Sequence, residues 1–231
     1  MDYATAGYSW AIAPGLIALA GLVWLAIALG RRQRRQMLYQ HLAAELNLTC
    51  TELQDGSLQT EEIREGWRTG LVTEHGVSGR FEGRDITICD RILSMALISA
   101  SRVTQTVITI EAPVTGRPEF ILEPRNWFTR KSELIDHRTN IHIPGDAEFT
   151  QHNYITGPDE EAIRALFTKP AMTLLRNNEE LMIQGHGDAY VFYHYGDVLS
   201  REEILALLRK GLAIVDALHP EPPDSGNSLD P

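Results

Sequence analysis

The first thirty positions of the chain are mostly apolar, and no charged side chain occurs between Asp2 and Arg31. The centre of this stretch, residues 10–30, holds 21 residues, which form a helix roughly 31 Å long at the usual helical rise. That length matches the hydrocarbon layer of a bilayer, and Trp10 is suited to the interface at one end. The pattern predicts a transmembrane helix over residues 10–30, preceded by a short extracytoplasmic N-terminus at 1–9.

Four arginines follow the apolar stretch directly: Arg31, Arg32, Arg34 and Arg35. The other flank carries only Asp2, so the positive-inside rule places the N-terminus outside and the bulk of the chain in the cytoplasm, at the plasma (inner) membrane. We expect the four arginines to lie against the anionic headgroups. A cleaved signal peptide, with its cleavage site at residues 26–28, is the alternative. The missing basic n-region and the length of the apolar stretch argue against it.

Beyond the span, the basic flank and a juxtamembrane helix occupy residues 31–48, where leucines recur at helical spacing. Strand-like patterns then predict strands at residues 84–90, 103–111, 119–122, 148–156, 180–184 and 189–195. Residues 185–188 predict a hairpin turn between the last two of these strands. Helix-start signals predict helices at residues 159–167, 170–176 and 200–218. The last helix begins with a capping box at Ser200 and Glu203 and carries an apolar stripe from Ile204 to Leu218. Strands in runs with helices before and after them favour an α+β domain over residues 49–218, built of antiparallel strands with packed helices. The tail at 219–231 is rich in proline and acidic residues, and we expect it to be disordered.

Three stretches of this layout occur together: residues 38–48, residues 149–167 with the rhythm F…Y…GPDEEAIRALF, and residues 189–218, a strand followed by a capped helix. With the N-terminal span and the basic flank, they resemble an uncharacterised family of bacterial single-pass membrane proteins that carry a cytosolic α+β domain. The resemblance covers most of the chain as architecture and implies that fold. It implies no activity.

The charge of the chain narrows the choice of partners. Its 21 basic and 31 acidic residues give a net charge of −10. Without Asp2 and the four flanking arginines, 17 basic and 30 acidic residues remain, a net charge of −13. A domain with this net charge lacks the excess of basic residues that is typical of nucleic-acid-binding proteins. We also expect an anionic bilayer surface to repel it. The two cysteines also exclude a disulfide framework and a four-cysteine zinc site.

Candidate chemistry is sparse along the sequence. His137, His142 and His152 lie close to acidic residues and are weak candidates for metal ligands, but their spacing fits neither a helical nor a strand metal motif. Walker, dinucleotide-binding and nucleophile-elbow motifs are missing from the sequence as well. We therefore predict no catalytic residue, no metal and no cofactor.

The predicted anchor and the lack of a recognisable catalytic motif in the sequence together predict a non-enzymatic, membrane-anchored interaction domain, an accessory or scaffolding subunit of a membrane protein assembly. Trp67, Trp127 and Phe128 are candidates for its protein interface, because aromatic residues dominate such surfaces; a place in the core is the alternative for both clusters. A second hypothesis is a small-ligand sensor or an enzyme, whose dispersed His, Asp and Arg residues would form a site around 136–152.

Overall fold

The computed structural model of the protein describes residues 9–51, 71–94, 102–112, 117–125, 140–176 and 180–219. Within these ranges the chain forms one antiparallel sheet of eight strands with five helices, an α+β fold as the sequence predicts. The strands are β1 (Thr49–Thr51), β2 (Leu71–Phe81), β3 (Arg84–Ser94), β4 (Arg102–Glu111), β5 (Phe120–Pro124), β6 (Asn153–Thr156), β7 (Leu181–His186) and β8 (Ala189–His194). The helices are α1 (Ser9–Leu46), α2 (Ala147–His152), α3 (Glu160–Leu166), α4 (Lys169–Arg176) and α5 (Arg201–Leu218).

The order of the strands shows how the chain builds the sheet. Strands β1 to β4 lie side by side in chain order, and then the chain passes to the far edge, where β5 pairs with β6. The hairpin of β7 and β8 fills the gap, because β8 pairs with β4 and β7 pairs with β5. The centre of the sheet therefore joins parts of the chain that are distant in sequence.

The core lies between one face of the sheet and the helices. Helix α5 buries Ile204, Leu208, Leu212 and Val215 there, on the apolar stripe that the sequence predicts. Gly211 permits its close approach, since a Cβ at this position would lie 2.9 Å from the Cδ1 atom of Ile110. The helix begins at the predicted capping box, in which Ser200 and Glu203 each bond the backbone N–H of the other.

The predicted strand at residues 148–156 is wrong in its first half, which forms helix α2. Asp146 starts this helix by accepting a hydrogen bond from the backbone N–H of Phe149. Asn153 ends it, because its side-chain amide donates to the Phe149 carbonyl at 2.9 Å. The apolar residues between these caps satisfy either a strand or a helix pattern, and the capping contacts decide in favour of the helix.

Helix α1 is continuous over 38 residues and includes the predicted juxtamembrane helix. Its last part packs on the domain, with Tyr39, Leu42, Ala43 and Leu46 all buried. Among the described residues, we find no helix whose length and apolar character suffice to cross a membrane.

Candidate functional site

The described side chains in the first half of α1 are apolar and exposed. Eight large apolar residues there are between 47% and 74% exposed: Ile17, Leu19, Leu22, Val23, Trp24, Leu25, Ile27 and Leu29. Because successive residues of a helix are about 100° apart, the four consecutive residues from Leu22 to Leu25 already surround the helix. This segment therefore has no polar side to turn towards water, and such a surface marks a site of contact with lipid or protein.

The second half of α1 is fixed to the sheet by packing. Leu42 and Leu46 are buried in the main core, as their helical spacing predicts, and Tyr39 lies beside them. Glu45 adds a surface ion pair with Arg201 at the start of α5. The helix thus joins the body of the domain along one face and leaves it at about the level of residue 35.

A buried ionic cluster, which we call the Arg35 cluster, lies where α1 leaves the domain. It consists of Arg35, Tyr39, Asp90, Thr106 and the Leu199 carbonyl. The Nε and Nη2 atoms of Arg35 each donate to one carboxylate oxygen of Asp90, both at 2.6 Å. Nη1 donates to the Leu199 carbonyl at 2.5 Å, and Nη2 also reaches Thr106 Oγ1 at 2.7 Å. Such a bidentate pair fixes both the position and the orientation of the guanidinium group.

The Asp90 carboxylate has further donors within the cluster. The hydroxyl groups of Tyr39 and Thr106 donate to its Oδ1 atom at 2.8 and 2.9 Å. Thr106 in turn accepts a hydrogen bond from the backbone N–H of Leu199 at 2.9 Å, so the segment before α5 belongs to the same network. Helix α1, strands β3 and β4 and the start of α5 therefore meet at one carboxylate.

Burial and charge both perturb the groups of the Arg35 cluster. Burial alone would lower the pKa of Arg35, but the hydrogen bonds and attraction from Asp90, together with Tyr39, raise it above its ordinary value. Burial, and then the neighbouring Asp90 charge, raise the pKa of Tyr39. The Tyr39 phenol is consequently neutral at physiological pH, beside the ion pair of Arg35 and Asp90.

The placement of Arg35 corrects one expectation about the basic flank. Arg31, Arg32 and Arg34 are exposed on α1, where the sequence places them. Arg35 instead turns into the domain, because Asp90 on β3 supplies a buried carboxylate for it. The pair is separated by 55 positions in the sequence, so the run of arginines alone does not distinguish the fourth from the others.

The two described histidines of the 136–152 region lie on the surface. His142 is exposed, and its backbone carbonyl accepts a hydrogen bond from Arg164. His152 is also exposed, and its Nδ1 atom lies 2.8 Å from the Glu148 carbonyl within α2. The structure does not bring these two side chains into a common group of potential metal ligands.

Asp146, one of the acidic residues close to these histidines in the sequence, has another partner. Asp146 caps α2, and its other carboxylate oxygen accepts a hydrogen bond from Arg176 at 2.5 Å. The Arg176 bond and the backbone N–H of Phe149 lower the pKa of Asp146. This carboxylate is thus engaged in joining α2 to α4. Among the other sequence candidates, His137, Trp67, Trp127 and Phe128 lie outside the described residues.

A group of three side chains that no sequence motif indicates lies at the end of the β7–β8 hairpin. Glu180, His194 and Asp197 each offer one potential ligand atom, and these atoms lie within 4.8 Å of one another. Antiparallel pairing of Leu181 with His194 brings residue 180 next to the turn that follows β8. The sequence predicts the hairpin but leaves open its register, which is needed to bring the three residues together.

A second buried cation lies at the other end of the same hairpin. The guanidinium group of Arg117 stacks over the ring of Tyr190, 4.9 Å from its centroid. The Tyr190 hydroxyl bonds His219 Nε2 at 2.5 Å, and burial raises the pKa of Tyr190 to about 12. Burial first, and then the charges of Arg117 and Arg84, lower the pKa of His219. The imidazole at the end of α5 is therefore held in its neutral form.

Comparison with known proteins concerns the fold alone. No protein-family model and no curated protein matches the chain. Among solved structures, the mycobacterial trehalose monomycolate transport factor A, TtfA, is similar, with a TM-score of 0.56 and 13% sequence identity. The match covers 81% of this chain and 96% of that one. At 13% identity, the similarity to TtfA shows a shared fold and nothing further.

Proposed function

We propose that this protein is a membrane-anchored accessory or scaffolding subunit of a membrane protein assembly. In this proposal residues 10–30 form the anchor, the N-terminus lies outside, and the α+β domain lies on the cytoplasmic side of the plasma (inner) membrane. The single observation that carries it is the exposure of large apolar side chains around the whole circumference of α1 between Ile17 and Leu29. The exposed Arg31, Arg32 and Arg34 follow at the point where such a helix would reach the headgroups.

The Arg35 cluster supports a scaffolding role. A flexible tether would let the domain move independently of its anchor, whereas Arg35 and Leu42 fix α1 to the sheet. A rigid junction holds the domain at a defined angle to the membrane, as a subunit of an ordered assembly requires. The fold of TtfA, whose name is that of a transport factor, favours an auxiliary role in a transport assembly.

The sensor or enzyme hypothesis for residues 136–152 receives no support from the described side chains of that region. Asp146 is engaged by Arg176, and His152 by the Glu148 carbonyl. His137 lies outside the described residues, so this alternative stays a prediction.

Charged substitutions in the apolar segment test the anchor. We expect the wild-type chain to remain in the membrane fraction after alkaline carbonate extraction, and Leu19→Arg/Leu22→Arg to release it. Each arginine near the middle of a span costs about 2.5–3.5 kcal/mol on insertion, so two remove most of the anchoring energy. The matched control is Leu174→Arg/Val198→Arg, because these two apolar residues are similarly exposed but lie on the domain. Release of the wild-type chain by carbonate, or retention of the anchor variant, would contradict the anchor.

Co-purification tests the accessory role. The full chain, carrying a C-terminal affinity tag, is extracted in a mild detergent, and its companions are quantified by mass spectrometry. We expect one membrane protein in a stoichiometric amount, and its loss from the Leu19→Arg/Leu22→Arg preparation. Recovery of the wild-type chain by itself would count against the accessory role and leave the anchor unaffected. A reporter fused after residue 231 checks the orientation, since a periplasmic signal would reverse it.

A further inference from the structure

Three side chains of different chemistry converge where the β7–β8 hairpin ends. Glu180 immediately precedes β7, His194 is the last residue of β8, and Asp197 lies in the turn that follows. One imidazole nitrogen and two carboxylate oxygens lie within 4.8 Å of one another there. We call this group the His194 cluster.

We propose that the His194 cluster binds a divalent transition-metal ion of the Zn²⁺ type. One imidazole and two carboxylates are the donors that Zn²⁺ and its neighbours in the first row accept. Metal–ligand bonds of about 2.0–2.2 Å place two ligands of one ion roughly 3–4 Å apart. The three atoms lie within 4.8 Å of one another, and binding requires the exposed side chains of Glu180 and Asp197 to rotate towards the ion. Three protein ligands leave a coordination position open to water or to a ligand from outside.

The turn that carries Asp197 is held in place before any ion binds. Gly196 adopts a φ of +80°, in the left-handed region that glycine tolerates best, and its N–H donates to Gln105 Oε1 at 3.3 Å. The N–H of Asp197 donates to the His194 carbonyl, and its carbonyl accepts from Thr106 N at 2.8 Å. Two of the three ligands therefore sit on a fixed backbone, which reduces the entropy lost on binding.

The charges around His194 suit a cation. The charged groups that face His194 are the carboxylates of Asp197, Glu180 and Glu203 and the ammonium group of Lys210. Three carboxylates and one ammonium leave a net charge of −2 around the ring, which attracts a divalent ion.

Bound metal at this position would also act on the neighbouring junction. The Asp197 carbonyl bonds Thr106, whose hydroxyl belongs to the Arg35 cluster, and Leu199 lies two residues further along. An ion that stiffens the turn would stiffen the segment that holds Arg35. The proposal itself is independent of membrane attachment, since no residue of the His194 cluster lies in α1.

Titration of the full chain with ZnCl₂ tests the proposal. The protein is purified in a mild detergent through a tag other than polyhistidine, and binding is measured by isothermal titration calorimetry. We expect one Zn²⁺ per chain and a dissociation constant at least about tenfold larger for His194→Ala, since loss even of a residue that only hydrogen-bonds a metal ligand costs about 10–100-fold in affinity. Glu180→Gln provides an independent arm, because Glu180 is exposed and its replacement leaves the fold intact.

His186→Ala is the matched control for the titration. His186 lies at the other end of the same hairpin, 3.3 Å from a carboxylate oxygen of Glu119, but it belongs to no such group of three among the described residues. We expect its affinity to equal that of the wild-type chain, and affinity in all intact variants to fall as the pH is lowered from 7.5 to 5.5. No binding at 100 μM Zn²⁺, or equal binding by the wild type and Glu180→Gln, would overturn the proposal.

Discussion

Replacing Asp90 by asparagine removes one charge from the Arg35 cluster with almost no change of shape. The Asp90 carboxylate accepts at least four hydrogen bonds, two from Arg35 and one each from Tyr39 and Thr106. Both carboxylate oxygens of Asp90 accept from donors, so in Asp90→Asn the amide N–H₂ group must face a donor of Arg35, Tyr39 or Thr106 with which it cannot bond. The guanidinium group also loses its counter-charge. Removing one partner of a fully buried ion pair costs about 3–5 kcal/mol. The side chain of Asp90 is 6% exposed and that of Arg35 18%, so we expect the lower end, about 3 kcal/mol.

Thermal unfolding of the full chain, followed by circular dichroism at a fixed detergent concentration, measures this effect. A loss of about 3 kcal/mol corresponds to a Tm lower by roughly 6–12 °C for a domain of this size. Hydrogen exchange supplies a local readout, since the amide of Leu199 bonds Thr106 inside the cluster and should lose protection. Asp85→Asn is the matched control, because Asp85 lies exposed on the same strand, and we expect its free energy of unfolding to change by less than about 0.5 kcal/mol.

A double-mutant cycle separates the ion pair from general damage. We expect Arg35→Met to be destabilising alone, and the double variant with Asp90→Asn to be more stable than the sum of the single effects by at least about 1 kcal/mol. Additive single effects, or an Asp90→Asn variant as stable as the Asp85→Asn control, would refute the reasoning that the pair fixes α1 to the sheet.

Substitutions at three further positions test other parts of the fold. Gly157→Ala should destabilise the domain by about 3 kcal/mol in thermal unfolding, because its Cβ would lie 2.3 Å from the rigid Glu119 carbonyl oxygen; a wild-type Tm would contradict that packing. Ser200→Ala should cost about 1 kcal/mol by breaking the capping box, and Ser200→Asp should restore most of it. The pKa of His219 is lowered by burial and by two arginines, so its contribution to stability is complete above the ordinary value of 6.5 and is lost as the pH falls through the lowered pKa. A plot of Tm against pH between 8 and 5 should therefore fall at acidic pH, and less steeply for His219→Gln.

Local signals in the sequence predict those elements whose contacts are local. The capping box at Ser200 and the apolar stripe that follows it predict α5 because both depend on residues three or four positions apart. Gly187 and Asp188 between two apolar runs predict the β7–β8 hairpin for the same reason.

Local sequence signals cannot predict elements and sites that depend on contacts between residues distant in the sequence. The partner of Arg35 is 55 positions away, on a strand whose place beside α1 follows only from the completed sheet. The His194 cluster needs the register of β7 against β8, which the two strand patterns alone leave open. The sequence pattern of α2 also fits a strand, and only the capping contacts of Asp146 and Asn153 show that it is a helix.

The continuity of α1 has a mechanical consequence. A helix of 38 residues is about 57 Å long, and it runs from Ser9 to Leu46 without interruption. Because its last turns are fixed to the sheet and its helical structure is continuous, we expect the helix and the sheet to move together as one lever. A change in the tilt of the exposed apolar half is therefore converted into a swing of the whole domain, largest at the sheet edge farthest from the helix. A partner that binds the helix and changes its tilt would therefore move a second partner bound to the domain, without any change in the structure of the domain itself.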